Sequence, residues 1–260
     1  MDKEIIVEFN DIAMTYHTEN KEIPALENLN LAIYDEEILG IVGPSGCGKS
    51  TLLSLVAGLL KPSKGEVLVK GKEVDKPSHR IAYMFQKDQL FDWRNILDNV
   101  TLGLELQARL NDQSMEEAIQ MLNNYGLGEF LNAYPNQLSG GMRQRVALIR
   151  TLLLKPDILL LDEPFSALDY QTRLDISDEV GLILREKKKT AILVTHDIAE
   201  AISLCDRVAI MSARPGTIKE IIDIKLSCCH GEPSPIKLRE APEFRDYFNK
   251  IWKELDIHVK

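Results

Sequence analysis

Apolar residues fall in short runs over the first forty positions. Ile5 to Phe9, Leu29 to Ile33 and Ile38 to Val42 read as strands, and Lys49 to Leu60 reads as a helix. A turn over Lys61 to Gly65 leads into a further strand, EVLVKG. Two strands before the first helix predict an antiparallel β layer beside the main sheet. After a strand at Ile81 to Phe85 the character changes, and about Asp88 to Leu154 reads mainly as helix. Ser114 with Glu117 has the form of a capping box, followed at helical spacing by Met115, Ile119, Leu122 and Tyr125. Alternation then resumes: strand Ile158 to Leu161, helix Tyr170 to Lys187, strand Ala191 to Val194, helix Ile198 to Leu204 and strand Val208 to Met211. Strands separated by helices predict an α/β class with a mostly parallel sheet. A polar, proline-bearing stretch covers Ser227 to Pro242. Glu243 to Leu255 reads as a terminal helix with an apolar stripe of Phe244, Phe248, Ile251 and Leu255. The expected organisation is one domain over residues 1–226, a helical subdomain at about 88–154 inserted in it, and a C-terminal extension over 227–260. No internal repeat or low-complexity tract interrupts it.

Composition narrows the class. Hydrophobic residues make up 45% and charged residues 27% of the 260, an ordinary globular balance. Acidic residues outnumber basic ones, 40 to 31, for a net charge of −9, which argues against nucleic acid as a partner. Of the four cysteines, Cys47 and Cys205 stand alone and Cys228 and Cys229 are adjacent, so no spacing suggests a disulfide framework or a zinc site. The N-terminal residues do not resemble a secretory signal, and no run approaches the roughly 20 apolar residues that cross a bilayer. Work at a membrane would need spans from other subunits.

Three motifs carry chemistry. After the strand ILGIV come Gly43, Pro44, Ser45, Gly46, Cys47, Gly48, Lys49 and Ser50, then Thr51, matching G-x-x-x-x-G-K-[ST] between a strand and a helix. Glycines let the backbone N–H groups turn toward phosphate oxygens, and the helix start adds its positive end. Lys49 can reach the β and γ phosphates, and the Ser50 hydroxyl can ligate Mg²⁺. The apolar strand Ile158 to Leu161 ends in Asp162 and Glu163, which suit a holder of hydrated Mg²⁺ and a general base polarising water. Ser139, Gly140 and Gly141 then open the helix MRQRVALIRTLLL, where Ser139 is a natural N-cap and the glycine amides form a second anion-seeking helix start.

The segment Leu138 to Met142, about twenty residues before the Asp162 strand, resembles the signature of the ABC (ATP-binding cassette) family. The resemblance spans about residues 4 to 225, with its motifs in order; Met142 departs from the commoner glutamine. It implies a P-loop NTPase core with an antiparallel β subdomain and an inserted α-helical subdomain. It implies ATP and Mg²⁺ as substrate and cofactor, and a homodimer in which the signature of one subunit closes over ATP held by the other. Within it, Ser166 to Asp169 is similar to the segment crossing the dimer interface, and His196 to the switch histidine at the γ phosphate. Gln86 is similar to the glutamine that touches Mg²⁺ and the water. Tyr16 stands where the adenine-stacking aromatic belongs, or else packs in an edge strand. The implied catalytic set is Glu163, His196, Gln86 and Lys49. The implied metal set is Ser50, Gln86 and Asp162. Nucleotide contacts fall to Tyr16, the loop Gly43 to Thr51, and Ser139, Gly140 and Gly141.

A single short cassette without fused spans resembles the ATPase subunit of a multi-subunit bacterial importer. That implies integral membrane permease subunits, an indirect solute-binding protein, and a peripheral place on the cytoplasmic face of the membrane. The stretch Leu90 to Val100, with Asp92 where proline is usual, resembles cassettes serving nitrate, sulfonate, taurine and related solutes, as do Ala213 to Gly216. Phe91 and Trp93 suit the groove that meets the permease, or else pack inside the helical insert. A non-transport ATPase and a regulatory binding module remain the alternatives.

Overall fold

The computed structural model describes residues 4–19, 21–227 and 234–255. In chain order its elements are β1 (Ile5–Thr18), β2 (Lys21–Tyr34), β3 (Ile38–Val42), α1 (Lys49–Val56), β4 (Lys64–Val69), β5 (Lys72–Glu73), β6 (Ile81–Met84), α2 (Ile96–Leu106), α3 (Asp112–Asn124), α4 (Gly140–Leu153), β7 (Ile158–Asp162), α5 (Tyr170–Glu186), β8 (Thr190–Val194), α6 (Ile198–Leu204), β9 (Arg207–Met211), β10 (Ile218–Asp223), α7 (Pro235–Leu238) and α8 (Phe244–Glu254). Two compact units emerge, one from Met1–Ser78 with Leu174–Lys260 and one from His79–Arg173.

The first unit holds an antiparallel sheet in the order β2-β1-β4-β5, as the early strands predict. Val7 pairs with Ile33 and Phe9 with Leu31, and all four side chains are buried. The same unit holds β3 between β8 and β9, parallel to both, with β10 antiparallel to β9. Every residue of β3 and β8 is buried, as expected of a parallel strand covered on both faces. Each buried Leu, Ile or Val there contributes about 1.5–3 kcal/mol. The terminal elements α7 and α8 belong to this unit. Ile251 is buried, Pro235 fills the space beside Gly181, and the Ile236 amide donates to Asp178 Oδ1 at 2.9 Å.

The second unit pairs β6 with β7 in parallel, matching Ile81 to Ile158 and Met84 to Leu161. Helices α2, α3 and α4 pack on one another, burying Ile96, Val100, Leu104, Ala118, Leu122 and Val146. Gly103 admits Leu154, whose Cδ2 lies 2.7 Å from where a Cβ would stand.

Several elements depart from the sequence expectation. Helix α1 ends at Val56, not Leu60, because Gly58 takes φ 70° and turns the chain. The capping box of α3 is Asn111 with Ser114, three residues earlier than the Ser114–Glu117 expectation. The Asn111 carboxamide accepts from the Ser114 amide while the Ser114 hydroxyl accepts from the Asn111 amide, each at 2.9 Å. Tyr16 is not on an edge strand: β1 is interior, although its register with β4 ends at Ala13. The sequence pattern predicts neither β10 nor α7, the latter lying in the polar, proline-bearing stretch. Cys228 and Cys229 lie outside the described residues.

Candidate nucleotide-binding site

In the first unit, β3 delivers the loop Gly43 to Gly48 directly into α1. Gly46 takes φ 75° and Gly48 φ 109°, both in the left-handed region. A Cβ at Gly48 would stand 2.6 Å from Leu26 Cδ2 and 3.0 Å from Ala25 O, so strand β2 presses the loop from behind. Lys49 is only 8% exposed and folds back on the loop, its Nζ donating to Gly43 O at 2.8 Å and Pro44 O at 3.0 Å. Ser45, Gly46 and Ser50 face outward. Cys47 is buried with Sγ 3.9 Å from Lys49 Nζ, and burial raises its thiol pKa, which keeps it protonated at neutral pH. The Tyr16 hydroxyl lies 3.0 Å from Thr51 Oγ1, tying the end of β1 to α1.

Because β3 and β8 run in parallel with Ile41 opposite Val194, their carboxyl ends leave the sheet at one edge. His196 is exposed at that edge, in the turn between β8 and α6. Thr195 N donates to Ile41 O at 3.2 Å and Thr195 Oγ1 accepts from the Asp197 amide at 3.0 Å, anchoring both neighbours of the histidine. Asp197 caps α6 by accepting from the Ala199 and Glu200 amides.

In the second unit, the parallel pairing of β6 and β7 likewise brings Gln86 and Glu163 out together. Gln86 Nε2 donates to Glu163 Oε2 at 3.0 Å. Asp162 ends β7 buried, its Oδ2 3.4 Å from the Tyr83 hydroxyl. Glu163 adopts φ 49°, a left-handed conformation uncommon for a residue with a side chain. Ser139 caps α4, its Oγ accepting from the Met142 amide at 3.3 Å. Gly140 is exposed, with open space where a Cβ would stand. Gly141 lies close to Leu168, whose Cδ2 is 3.3 Å from its Cβ position. The Thr172 hydroxyl and amide hold the Asp169 carboxyl below the usual carboxylate range.

Ser50, Gln86 and Asp162 are oxygen donors, the set a hard divalent cation takes. Among the described residues no cluster of three His, Cys, Asp or Glu could hold a metal unaided.

Sequence reasoning missed two supports. Gly216 lies against the phosphate loop, where any Cβ would collide with Cys47 O, and its amide donates to Ala25 O at 2.8 Å. Gln144, on α4, reaches the Glu163 turn. The sequence marks Gly216 only as the end of the Ala213 to Gly216 segment and not as a support of the loop, and it gives no signal for Gln144. On the surface of the second unit, Trp93 is 74% exposed, with Phe91 at a ring-centroid distance of 4.8 Å. Buried Asn99 holds their loop, accepting from the Phe91 amide at 2.8 Å and donating to the Phe91, Arg94 and Asn95 carbonyls. No helix among the described residues is long and apolar enough to cross a membrane.

A family model described as ABC transporter matches residues 26–166. An uncharacterized ABC transporter ATP-binding protein of Bacillus subtilis, YtlC, is 44% identical over 245 residues, covering 94% of each chain. The aliphatic sulfonates import ATP-binding protein SsuB of Bacillus cereus is 37% identical over 250 residues, covering 96% of each. Among solved structures, the dimeric bacterial ABC transporter cassette MJ0796 superimposes with a TM-score of 0.78 at 33% identity, over 85% of this chain and 99% of that one. The same cassette in a post-hydrolysis state with ADP and Pi gives 0.76. With a phosphate loop, a strand-end carboxylate pair and a serine-capped second helix start in one α/β chain, this protein belongs to the ABC transporter family as an ATP-binding, ATP-hydrolysing cassette subunit.

Proposed function

We propose that this cassette powers a bacterial importer as a head-to-tail homodimer, coupling ATP binding and hydrolysis to uptake of a small solute. The observation that carries the reading is that one chain offers two anion-seeking helix starts, α1 behind Gly48 and α4 behind Ser139, each in a different compact unit. In this reading the loop Gly43 to Thr51 grips the triphosphate, Lys49 leaves the Gly43 and Pro44 carbonyls for the β and γ phosphates, and Tyr16 stacks on the base. Ser139, Gly140 and Gly141 of the second copy cover the γ phosphate. Glu163 polarises the attacking water, Gln86 orients it, and His196 contacts the γ phosphate. Held by Ser50, Gln86 and Asp162, Mg²⁺ would offset the charge on the phosphate oxygens.

Closing the dimer would move membrane permease subunits seated near Phe91 and Trp93, with a solute-binding protein acting through them. The chain would then sit peripherally at the cytoplasmic face of the membrane. A sulfonate, taurine, nitrate or related compound is the proposed solute, supported by the likeness to SsuB and by the Leu90 to Val100 segment. Affinity capture from detergent-solubilised membranes tests the assignment. A polytopic membrane protein should co-purify and its solute should stimulate turnover; recovery only with ribosomes or DNA would overturn it.

A further inference from the structure

Ser139 caps helix α4, yet about one turn into the helix stands a side chain that works on a different motif. Gln144 is 4% exposed, and both ends of its carboxamide are used within the second unit. Nε2 donates to Glu163 O at 3.0 Å, while Oε1 accepts from the Ala167 amide at 2.8 Å. The Glu163 carbonyl also accepts from the Ser166 amide at 3.2 Å and the Ser166 hydroxyl at 3.0 Å. Three donors therefore converge on the carbonyl of a residue held at φ 49°. The left-handed region costs a non-glycine residue free energy, which contacts holding its carbonyl offset. Ser166 belongs to the same turn and would move with it. Gln144 comes from another element and fixes that turn from outside.

We propose that Gln144 is a positioning residue for ATP hydrolysis: its carboxamide clamps the Glu163–Ala167 turn and so sets where the Glu163 carboxylate stands relative to the attacking water. The inference rests on the reading of Glu163 as general base. It also explains why a glutamine occupies a buried helix position that an apolar residue would otherwise fill. Only a group with one donor and one acceptor at its tip satisfies both a carbonyl and an amide there. Without the carboxamide the Ala167 amide loses its partner, and the Glu163 carbonyl keeps only the two donors of its own turn.

This requirement supplies the test. A protonated carboxylic acid offers the same donor and acceptor pair as a carboxamide, whereas a carboxylate offers two acceptors and repels the Glu163 carbonyl. Burial raises a carboxyl's pKa, so Gln144→Glu should change state between about pH 6 and 8. Full-length wild type, Gln144→Glu, Gln144→Leu and Glu163→Gln are compared by phosphate release and by titration with a fluorescent ATP analogue. For Gln144→Leu, kcat should fall at least about tenfold at every pH, with nucleotide Kd within about twofold of wild type. For Gln144→Glu the same loss should appear at pH 8, and the ratio of its kcat to that of wild type should climb toward one at pH 6. A flat ratio across this range, near-normal turnover in Gln144→Leu, or nucleotide affinity that falls in step with kcat overturns the proposal. Unimpaired hydrolysis by Glu163→Gln would instead remove the base assignment. Normal Gln144 variants beside an inactive Glu163→Gln would remove the clamp alone.

Discussion

Gly216 and the carbonyl of Cys47 are packed so closely that the smallest side chain at position 216 would overlap the phosphate loop. The turn cannot back away easily, because Gly216 N donates to Ala25 O at 2.8 Å and Gly216 O accepts from Glu27 N at 3.1 Å. Gly216→Ala must therefore displace the loop. Overpacking of this kind costs about 1–3 kcal/mol, or a fall in Tm of roughly 2–4 °C per kcal/mol. Calorimetry should show that loss together with weakened ATP affinity. Wild-type affinity would mean that the turn does not support the loop.

Lys49 carries the next prediction. Its ammonium donates to two loop carbonyls, and in the proposed complex it exchanges them for phosphate oxygens, which are stronger partners because they are charged. Lys49→Ala should weaken ATP binding by at least about a hundredfold, since charged hydrogen bonds are worth about 1.5–3 kcal/mol each. Isothermal titration gives the answer directly. Unchanged affinity would remove the loop from the site.

Glu163→Gln keeps the size of the side chain and removes its basicity. Turnover should drop about 10²- to 10⁴-fold, the usual contribution of a general base, while nucleotide still binds. ATP should then accumulate in a closed pair that elutes as a dimer on size exclusion. A variant that hydrolyses normally, or stays monomeric in saturating ATP, contradicts the proposed roles.

How much of this was legible beforehand depends on the range of the physics involved. The phosphate loop could be read because its chemistry is local: Gly46 and Gly48 must reach positive φ within a few residues of a buried strand. Strand β7 was equally plain, since Ile158 to Leu161 are apolar without interruption and both faces are covered. Strands β1 and β2 were found but cut short. Their outer halves pair mainly with each other, and the polar residues there break any apolar run. Strand β10 likewise gives no apolar run, because Lys219, Glu220 and Asp223 interrupt Ile218, Ile221 and Ile222. Asn111 caps α3 as well as any serine, and three residues of register separate two plausible boxes. Gln144 was invisible because a helical glutamine is ordinarily solvated, and only the folded chain shows Glu163 O and Ala167 N at its two ends.

Trp93 and Asn99 differ as a surface group does from the residue that presents it. Trp93 is largely exposed, so Trp93→Ala should change stability by no more than about 0.5 kcal/mol. The isolated cassette should hydrolyse ATP as before, while stimulation by a reconstituted permease is lost. Asn99 is the reverse case: fully buried, its carboxamide satisfies the Phe91 amide and shares its protons among three carbonyls. Asn99→Leu removes all of these; the Phe91 and Asn95 carbonyls keep the Arg94 and Asn99 amides, but the Phe91 amide and the Arg94 carbonyl lose the carboxamide, at about 1–3 kcal/mol for each group that water does not reach. Urea unfolding should place its midpoint well below wild type with an unchanged slope. If Trp93→Ala proves the more destabilising of the two, the indole is packing the helical unit, and its role as a docking anchor falls.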